Sequence, residues 1–221
     1  MQKFDTPAPV SAVIDVPAGL IQVIASDRAD TTVEVRPADP SRSRDTKAAE
    51  RTSVTYADGV LRITAPAGGN QLLGPSGSLE VTVQLPAGSG IEGRAAGAEF
   101  RGVGRLGDVT FDGAYRRFKA DEAASVRLTA VDGDVEVGRL NGSADISTAR
   151  GDIRIDEAAK GTVVLRTQSG DISVAAANGV SATLDAETGF GRVHNAFKND
   201  GTTALDVRAT TSHGDISARS L

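Results

Sequence analysis

The sequence predicts an all-β chain: a single-chain parallel β-solenoid, β-helix-like, with coils of about 19 residues and an irregular β cap at its N-terminus. Three observations predict it. A phrase built on T-x-x-G-D-I-x-[IV] recurs through the C-terminal half, with its glycines at steps of 18, 19, 21 and 23 residues. Its copies alternate apolar and polar residues with the period of two that marks a half-buried strand. The 25 Gly and 8 Pro are spread along the whole length, which suits many turns between short strands.

The copies begin at Gly133-Asp134-Val135, Gly151-Asp152-Ile153, Gly170-Asp171-Ile172, Gly191-Arg192-Val193 and Gly214-Asp215-Ile216. Between them runs a weaker phrase, starting at Gly142, Gly161 and Gly179, at steps of 19 and 18 residues and therefore in phase with the first. A unit reads strand, turn, strand, turn, and each glycine can take the positive φ of a tight turn. One such unit cannot hide its few aliphatic side chains alone, so stacking on neighbours is required. An extra residue at a corner bulges outward without disturbing the next coil, so the longer steps are tolerated and residues 196–203, AFKNDGTT, read as a surface loop.

Upstream the pattern is less regular. Strand-like runs occur at Ser11–Val16, Leu20–Ile24, Thr31–Val35, Ser53–Tyr56, Val60–Thr64 and Leu79–Leu85. Residues 37–52 are polar and read as a long excursion with a helical turn, and residues 68–78 as a second loop. Residues 1–90 are expected to form the N-terminal β part and cap, which covers an otherwise bare sheet edge, and residues 91–221 the regular coils, all as one continuous domain.

Composition narrows the functional classes. The net charge of −5 comes from 29 acidic and 24 basic residues mixed along the chain, so there is no basic field for nucleic acid. The basic-aromatic knot YRRFK, 115–119, reads as a solvated loop. Without cysteine there is no disulfide framework, thiolate metal site or cysteine nucleophile. The N-terminal stretch lacks an apolar signal region and no run is long enough to enter a membrane, so the expectation is a soluble, cytoplasmic chain.

No catalytic residue and no cofactor is predicted. Four outward aspartates, Asp134, Asp152, Asp171 and Asp215, are the metal candidates, because stacked carboxylates about 4.8 Å apart repel unless cations or turn N–H groups compensate them. A calcium-stabilised β-roll needs ligands from every half-coil, whereas the intervening phrases carry Ser143, Thr162 or Val180; acceptance of hydrogen bonds in an Asx-type turn is the favoured role. The Thr148, Thr167, Thr188 and Thr211 column reads as turn and ladder chemistry. Residues 102–107, GVGRLG, match a dinucleotide fingerprint in letters, but a strand follows where the phosphate-binding helix should start. His194 and His213, even with Asp215, fall short of a metal set. The catalytic alternative is a carbohydrate-active β-helix enzyme using Asp132 and Asp134 as acid and base, although D-G-D is also an ordinary turn and aromatic platforms for sugars are lacking.

The G-D copies, the LPAGS turn at 85–89 and the upstream phrases Gly19-Leu20-Ile21-Gln22-Val23 and Gly59-Val60-Leu61-Arg62-Ile63 together resemble the bacterial "putative-adhesin" β-strand-repeat family, a domain family of unknown function, over residues 10 to 221. The resemblance implies a parallel β-solenoid and offers no catalytic residue to carry over. Members often bear a lipoprotein signal or a membrane anchor, which this sequence does not display. The expected function is a non-catalytic, adhesin-like scaffold for a protein partner, with carbohydrate as a further ligand class. Its binding residues are expected on the loops 37–52, 68–78, 112–122 and 195–203, which escape the stacking constraint.

Overall fold

A computed structural model describes residues 1–66 and 77–221, and the backbone alone at Ala114 and Tyr115. The predicted loop 68–78 lies outside the described residues apart from Gly77 and Ser78. The fold is all-β, one large and mostly parallel sheet system with a single helix among the described residues.

Its regular part is built from rungs. A rung here is a pair of strands joined at a corner that opens with glycine, Gly-Asp in all but one: β9 (Ala144–Arg150) with β10 (Ile153–Ala158), β11 (Gly161–Ser169) with β12 (Ile172–Ala176), β13 (Ala182–Phe190) with β14 (Val193–Ala196), whose corner is Gly191-Arg192, and β15 (Leu205–His213) with β16 (Ile216–Ser220). The second strands pair in parallel register, Val135 with Ile153 and Ile153 with Ile172. The first strands do likewise, Ile146 with Leu165. Alternate residues face one continuous core of Val, Ile, Leu and Ala, because a strand points successive side chains to opposite faces.

The rungs do not stack in chain order. Ile172 pairs with Ile216, and Ile216 with Val193, so β16 lies between β12 and β14. Likewise β15 lies between β11 and β13. The last rung of the chain is thus inserted beneath the one before it. The N-terminal half shows the mirror arrangement: β2 (Ser11–Asp15) and β3 (Ala18–Ser26) are sandwiched between β6 (Val60–Thr64) and β7 (Leu79–Pro86) on one side and β8 (Gly90–Leu140) on the other.

At the N-terminal end, pairing turns antiparallel. β4 (Asp30–Pro37) covers β7, β1 (Gln2–Asp5) covers β4, and β5 (Ser53–Ala57) covers β6. The excursion 37–52 holds more than one helical turn: α1, Ser43–Arg51, is a nine-residue helix. Its Ala48, Ala49 and Lys47 favour helix and Asp45 complements the N-terminal dipole. Asp45 is buried and accepts the Ser78 backbone N–H at 3.0 Å, which ties the helix to the start of β7.

The expectation of a loop at 112–122, including YRRFK, is corrected. These residues lie inside β8 (Gly90–Leu140), which runs through several rungs without a break. Phe118 is buried and its ring stacks on Phe100 at 4.8 Å. Arg116–Ala120 is a degenerate copy of the repeat phrase. A Cβ placed on Gly133 would strike the Arg116 backbone, and Arg117 and Lys119 both reach Glu136 in the next rung. Arginine at the glycine position and phenylalanine at the valine position hid this copy. The backbone shows the strain: Arg116 has φ 100°.

The GVGRLG segment is strand throughout. Gly104 and Gly107 are required by close stacking, since a side chain at either would strike the carbonyl oxygen of Ala25 or of Gly88. The LPAGS turn is equally structural. Buried Ser89 donates its hydroxyl to the Pro86 carbonyl at 2.7 Å and accepts the Val10 N–H at 3.0 Å, which fastens the entry to β2.

Candidate functional site

The corner shows what the repeated phrase does. Asp152 donates its backbone N–H to Asp134 Oδ1 at 3.0 Å, Asp171 to Asp152 Oδ1 at 2.8 Å, Asp215 to Asp171 Oδ1 at 2.7 Å, and Arg192 to Asp215 Oδ1 at 2.8 Å. Each carboxylate therefore compensates an orphan corner N–H of the next rung, and that N–H offsets the repulsion expected down the column. The threonines work in the opposite direction. Thr167, Thr211 and Thr188 donate their hydroxyls to the carbonyls of Gly151, Gly170 and Gly214 in the neighbouring rung, at 3.2, 3.0 and 2.9 Å. Glycine is needed between them: at Gly151, Gly170 and Gly214, φ is 128°, 151° and 148°, and a side chain would collide with the glycine carbonyl of the neighbouring rung.

Arg192 is where this column ends in space. Among the described residues no rung lies beyond β13 and β14, so an aspartate there would have no described corner N–H to accept. The arginine instead turns back, its guanidinium 3.1 Å from Asp215 Oδ2. The Arg192 N–H first, and then the guanidinium, hold the Asp215 carboxyl below its usual range. Asn195 marks the same boundary. It pairs in register with Ala218, a core-facing position occupied by Val174 one rung further in, yet it carries an amide whose oxygen accepts the Phe197 N–H at 3.0 Å.

This end is the candidate functional site. β13 and β14 each have one ladder neighbour, so a row of backbone N–H and C=O groups faces outward along each edge. Leu184 and Ala186 cover the end of the core only in part, and Val193 is 46% exposed. Phe190 is 73% exposed and stacks face to face on the His213 ring at 5.0 Å. At the other end the outermost strands, β1 and β5, run antiparallel to their single neighbours, and ion pairs such as Lys3–Asp30 at 3.0 Å stud that edge.

The remaining predicted residues are scattered among structural roles. Asp132, one half of the supposed acid–base pair, is held by Arg150 at 2.8 Å, and Asp134 by the next rung. His194 pairs in register with Ser217 on the end rung. Among the described residues no group of three or more His, Asp or Glu is arranged to hold a metal ion. Outward columns are stitched across rungs by ion pairs, Arg139–Glu157 and Arg166–Asp145 among them. Glu136 bridges Lys119 and Arg117, and the hydrogen bond from Lys119 does most to hold its carboxyl below the usual range. Among the described residues no helix is long and apolar enough to cross a membrane.

Of the predicted binding loops, 195–203 lies at this end, among the described residues. Two signals in the sequence could have singled out the end rung: arginine replacing the repeat aspartate at 192, and asparagine replacing the second aliphatic at 195.

Comparison with known proteins bears on the fold. A crystal structure of a "putative adhesin" from Bacteroides fragilis NCTC 9343 is 13% identical, with a TM-score of 0.53, over 98% of this chain and 95% of that one. A "putative cell adhesion protein" from Clostridium sporogenes ATCC 15579 is 11% identical, with a TM-score of 0.41, over 100% and 98%. A "putative adhesin" from Parabacteroides distasonis ATCC 8503 is 14% identical, with a TM-score of 0.41, over 98% and 95%. No curated protein matches the chain. The model of the Toastrack DUF4097 family matches residues 12–219, and with nearly the whole chain matched, the protein belongs to the Toastrack DUF4097 family.

Proposed function

We propose that the chain is a non-catalytic β-solenoid scaffold, with coils of about 19 residues, that works in an adhesin-like manner by presenting its open end to another macromolecule. The observation that carries this reading is the pairing state of β13 and β14. They are unpaired strand edges bordering partly covered aliphatics, the arrangement that recruits a further strand by main-chain hydrogen bonding. The rest of the molecule supports a passive role. Its repeat carboxylates serve corner N–H groups, and among the described residues every buried side-chain polar atom has a partner. A protein is the favoured ligand class, because an exposed edge offers a strand partner more than it offers a sugar.

The engagement of Asp132 by Arg150 and of Asp134 by Asp152 weighs against the carbohydrate-active reading, since both carboxylates already serve contacts between rungs. The name carried by the Bacteroides fragilis structure agrees with an adhesive role without establishing one here. A photo-crosslinking residue placed at position 194, compared with one at the mid-ladder position 154, tests the proposal in extract of the native cell. Adducts specific to position 194 and lost with Ala186→Lys are expected. Equal labelling at both positions would contradict the proposal.

A further inference from the structure

The open end has a shape and a charge pattern that fit one occupant. We infer that it binds the open end of a second copy of this chain, about a two-fold axis that runs parallel to the end rung, outside it by roughly half the 4.8 Å strand spacing, and passes the chain between Gly191 and Arg192. The inference rests on the proposed role of this end as the contact surface and names its partner.

The geometry follows from the direction of the chain. β13 enters the corner and β14 leaves it, so a two-fold axis passing the corner lays each edge against the opposite edge of the second copy, antiparallel on both sides. An antiparallel seam satisfies both rows of unpaired backbone groups at once. An axis between residues 191 and 192 also fixes the register. It sets Phe190 beside Val193 of the second copy, Glu187 beside Ala196, and Thr188 beside Asn195. Phe190 and Val193 are two of the most exposed large apolar side chains among the described residues, and both lie at the seam beside the axis. Ala186 falls beside Phe197, so core-facing residues meet core-facing residues.

Charge selects this arrangement over the other two-fold possibility. β13 carries Asp185 and Glu187 and no cation, whereas the stretch from Arg192 to Lys198 carries Arg192, His194 and Lys198 and no carboxylate. Pairing β13 with its own copy would set Asp185 close to Glu187, a like-charge contact that destabilises a strand pair. Pairing β13 with β14 sets Asp185 beside Lys198. The two Arg192 side chains approach near the axis, but each is already neutralised by Asp215. The other end offers no equivalent seam, because its edge strands β1 and β5 are not consecutive strands joined at one corner.

The chain has no cysteine, so introduced thiols report cleanly. The test uses the full chain carrying both Glu187→Cys and Ala196→Cys, oxidised mildly and run without reductant, alongside each single variant. A covalent dimer from the double variant, several-fold above either single variant, is expected. Sedimentation of the unmodified chain should show a dimer that Ala186→Lys weakens at least about tenfold while the far-ultraviolet circular dichroism of the folded chain stays unchanged. A monomer at high micromolar concentration overturns the inference, as does a dimer that survives Ala186→Lys. Cross-linking of the Glu187→Cys variant alone, to the same extent as the double variant, overturns it too by revealing the like-charged pairing. A monomer that still gives position-194 adducts with a different protein overturns self-pairing and leaves the proposed function standing.

Discussion

Asp171 and Asp215 are separated by 44 positions in the chain, yet Asp171 Oδ1 accepts the Asp215 backbone N–H at 2.7 Å. The contact is possible because the final rung is inserted below the rung that precedes it. It also explains the break in the aspartate series, since in space the order is Asp134, Asp152, Asp171, Asp215 and then Arg192.

Removing the acceptor should expose that dependence. Asp171→Ala leaves the Asp215 N–H without its partner and should cost about 0.5–1.5 kcal/mol in urea unfolding, while Asp171→Asn, which keeps an acceptor oxygen, should cost less. Equal losses from the two variants would place the effect elsewhere.

The threonine staple lies deeper. Thr167 is buried and its hydroxyl serves the Gly151 carbonyl. Thr167→Val preserves shape and removes the donor, so a loss of about 1–2 kcal/mol is expected, with Thr167→Ser recovering most of the hydrogen-bond contribution. The denaturant midpoint is the readout.

One corner column supplies substitutions of opposite sign. Arg116 holds φ 100° where its repeat counterparts are glycine. Arg116→Gly should therefore raise stability, by about 0.5–1 kcal/mol after the added freedom of the unfolded chain is counted. Gly170→Ala must adopt φ 151° and push against the Gly151 carbonyl, so it should lose at least about 3 kcal/mol. Thermal melting of both variants checks the pair.

Acid should loosen the molecule from its ends. Hydrogen bonds from Arg28 and then Lys3 lower the Asp30 carboxyl from 3.8 to about 2. A depressed folded-state value means that the stabilisation is fully present above 3.8 and disappears as the pH falls towards about 2. Glu136 and Asp215 are shifted in the same direction and act in the same sense. The melting temperature should be flat from neutrality to about pH 5 and fall below pH 4, with a shallower fall in Asp30→Asn.

The middle of the ladders was legible in the sequence because local steps of 18 and 19 residues between Gly133, Gly151 and Gly170 translate directly into register. The ends were not. Ile172 can meet Val193 or Ile216, since both phrases present a branched aliphatic after the corner, and only Arg192 and Asn195 distinguish the phrase suited to an end from the one suited to the interior. The copy at Arg116–Ala120 was masked because stacking on Phe100 tolerates phenylalanine where the pattern asks for valine, and because the backbone absorbs a strained arginine. The open end was legible only in retrospect, through Arg192 and Asn195. Each is a departure from the repeat, and it acquires meaning once the rung above is known to be missing.

The order of the rungs is tested most directly by engineered disulfides in this cysteine-free chain. Ser173 and Ser217 are outward-facing register partners, whereas Ser173 and His194 would be partners if rungs followed chain order. The double variant Ser173→Cys/Ser217→Cys should close an intramolecular disulfide readily, while Ser173→Cys/His194→Cys should stay reduced under the same mild oxidation. The reverse result, with 173 joined to 194 and not to 217, would contradict the insertion of the last rung and the open end that depends on it.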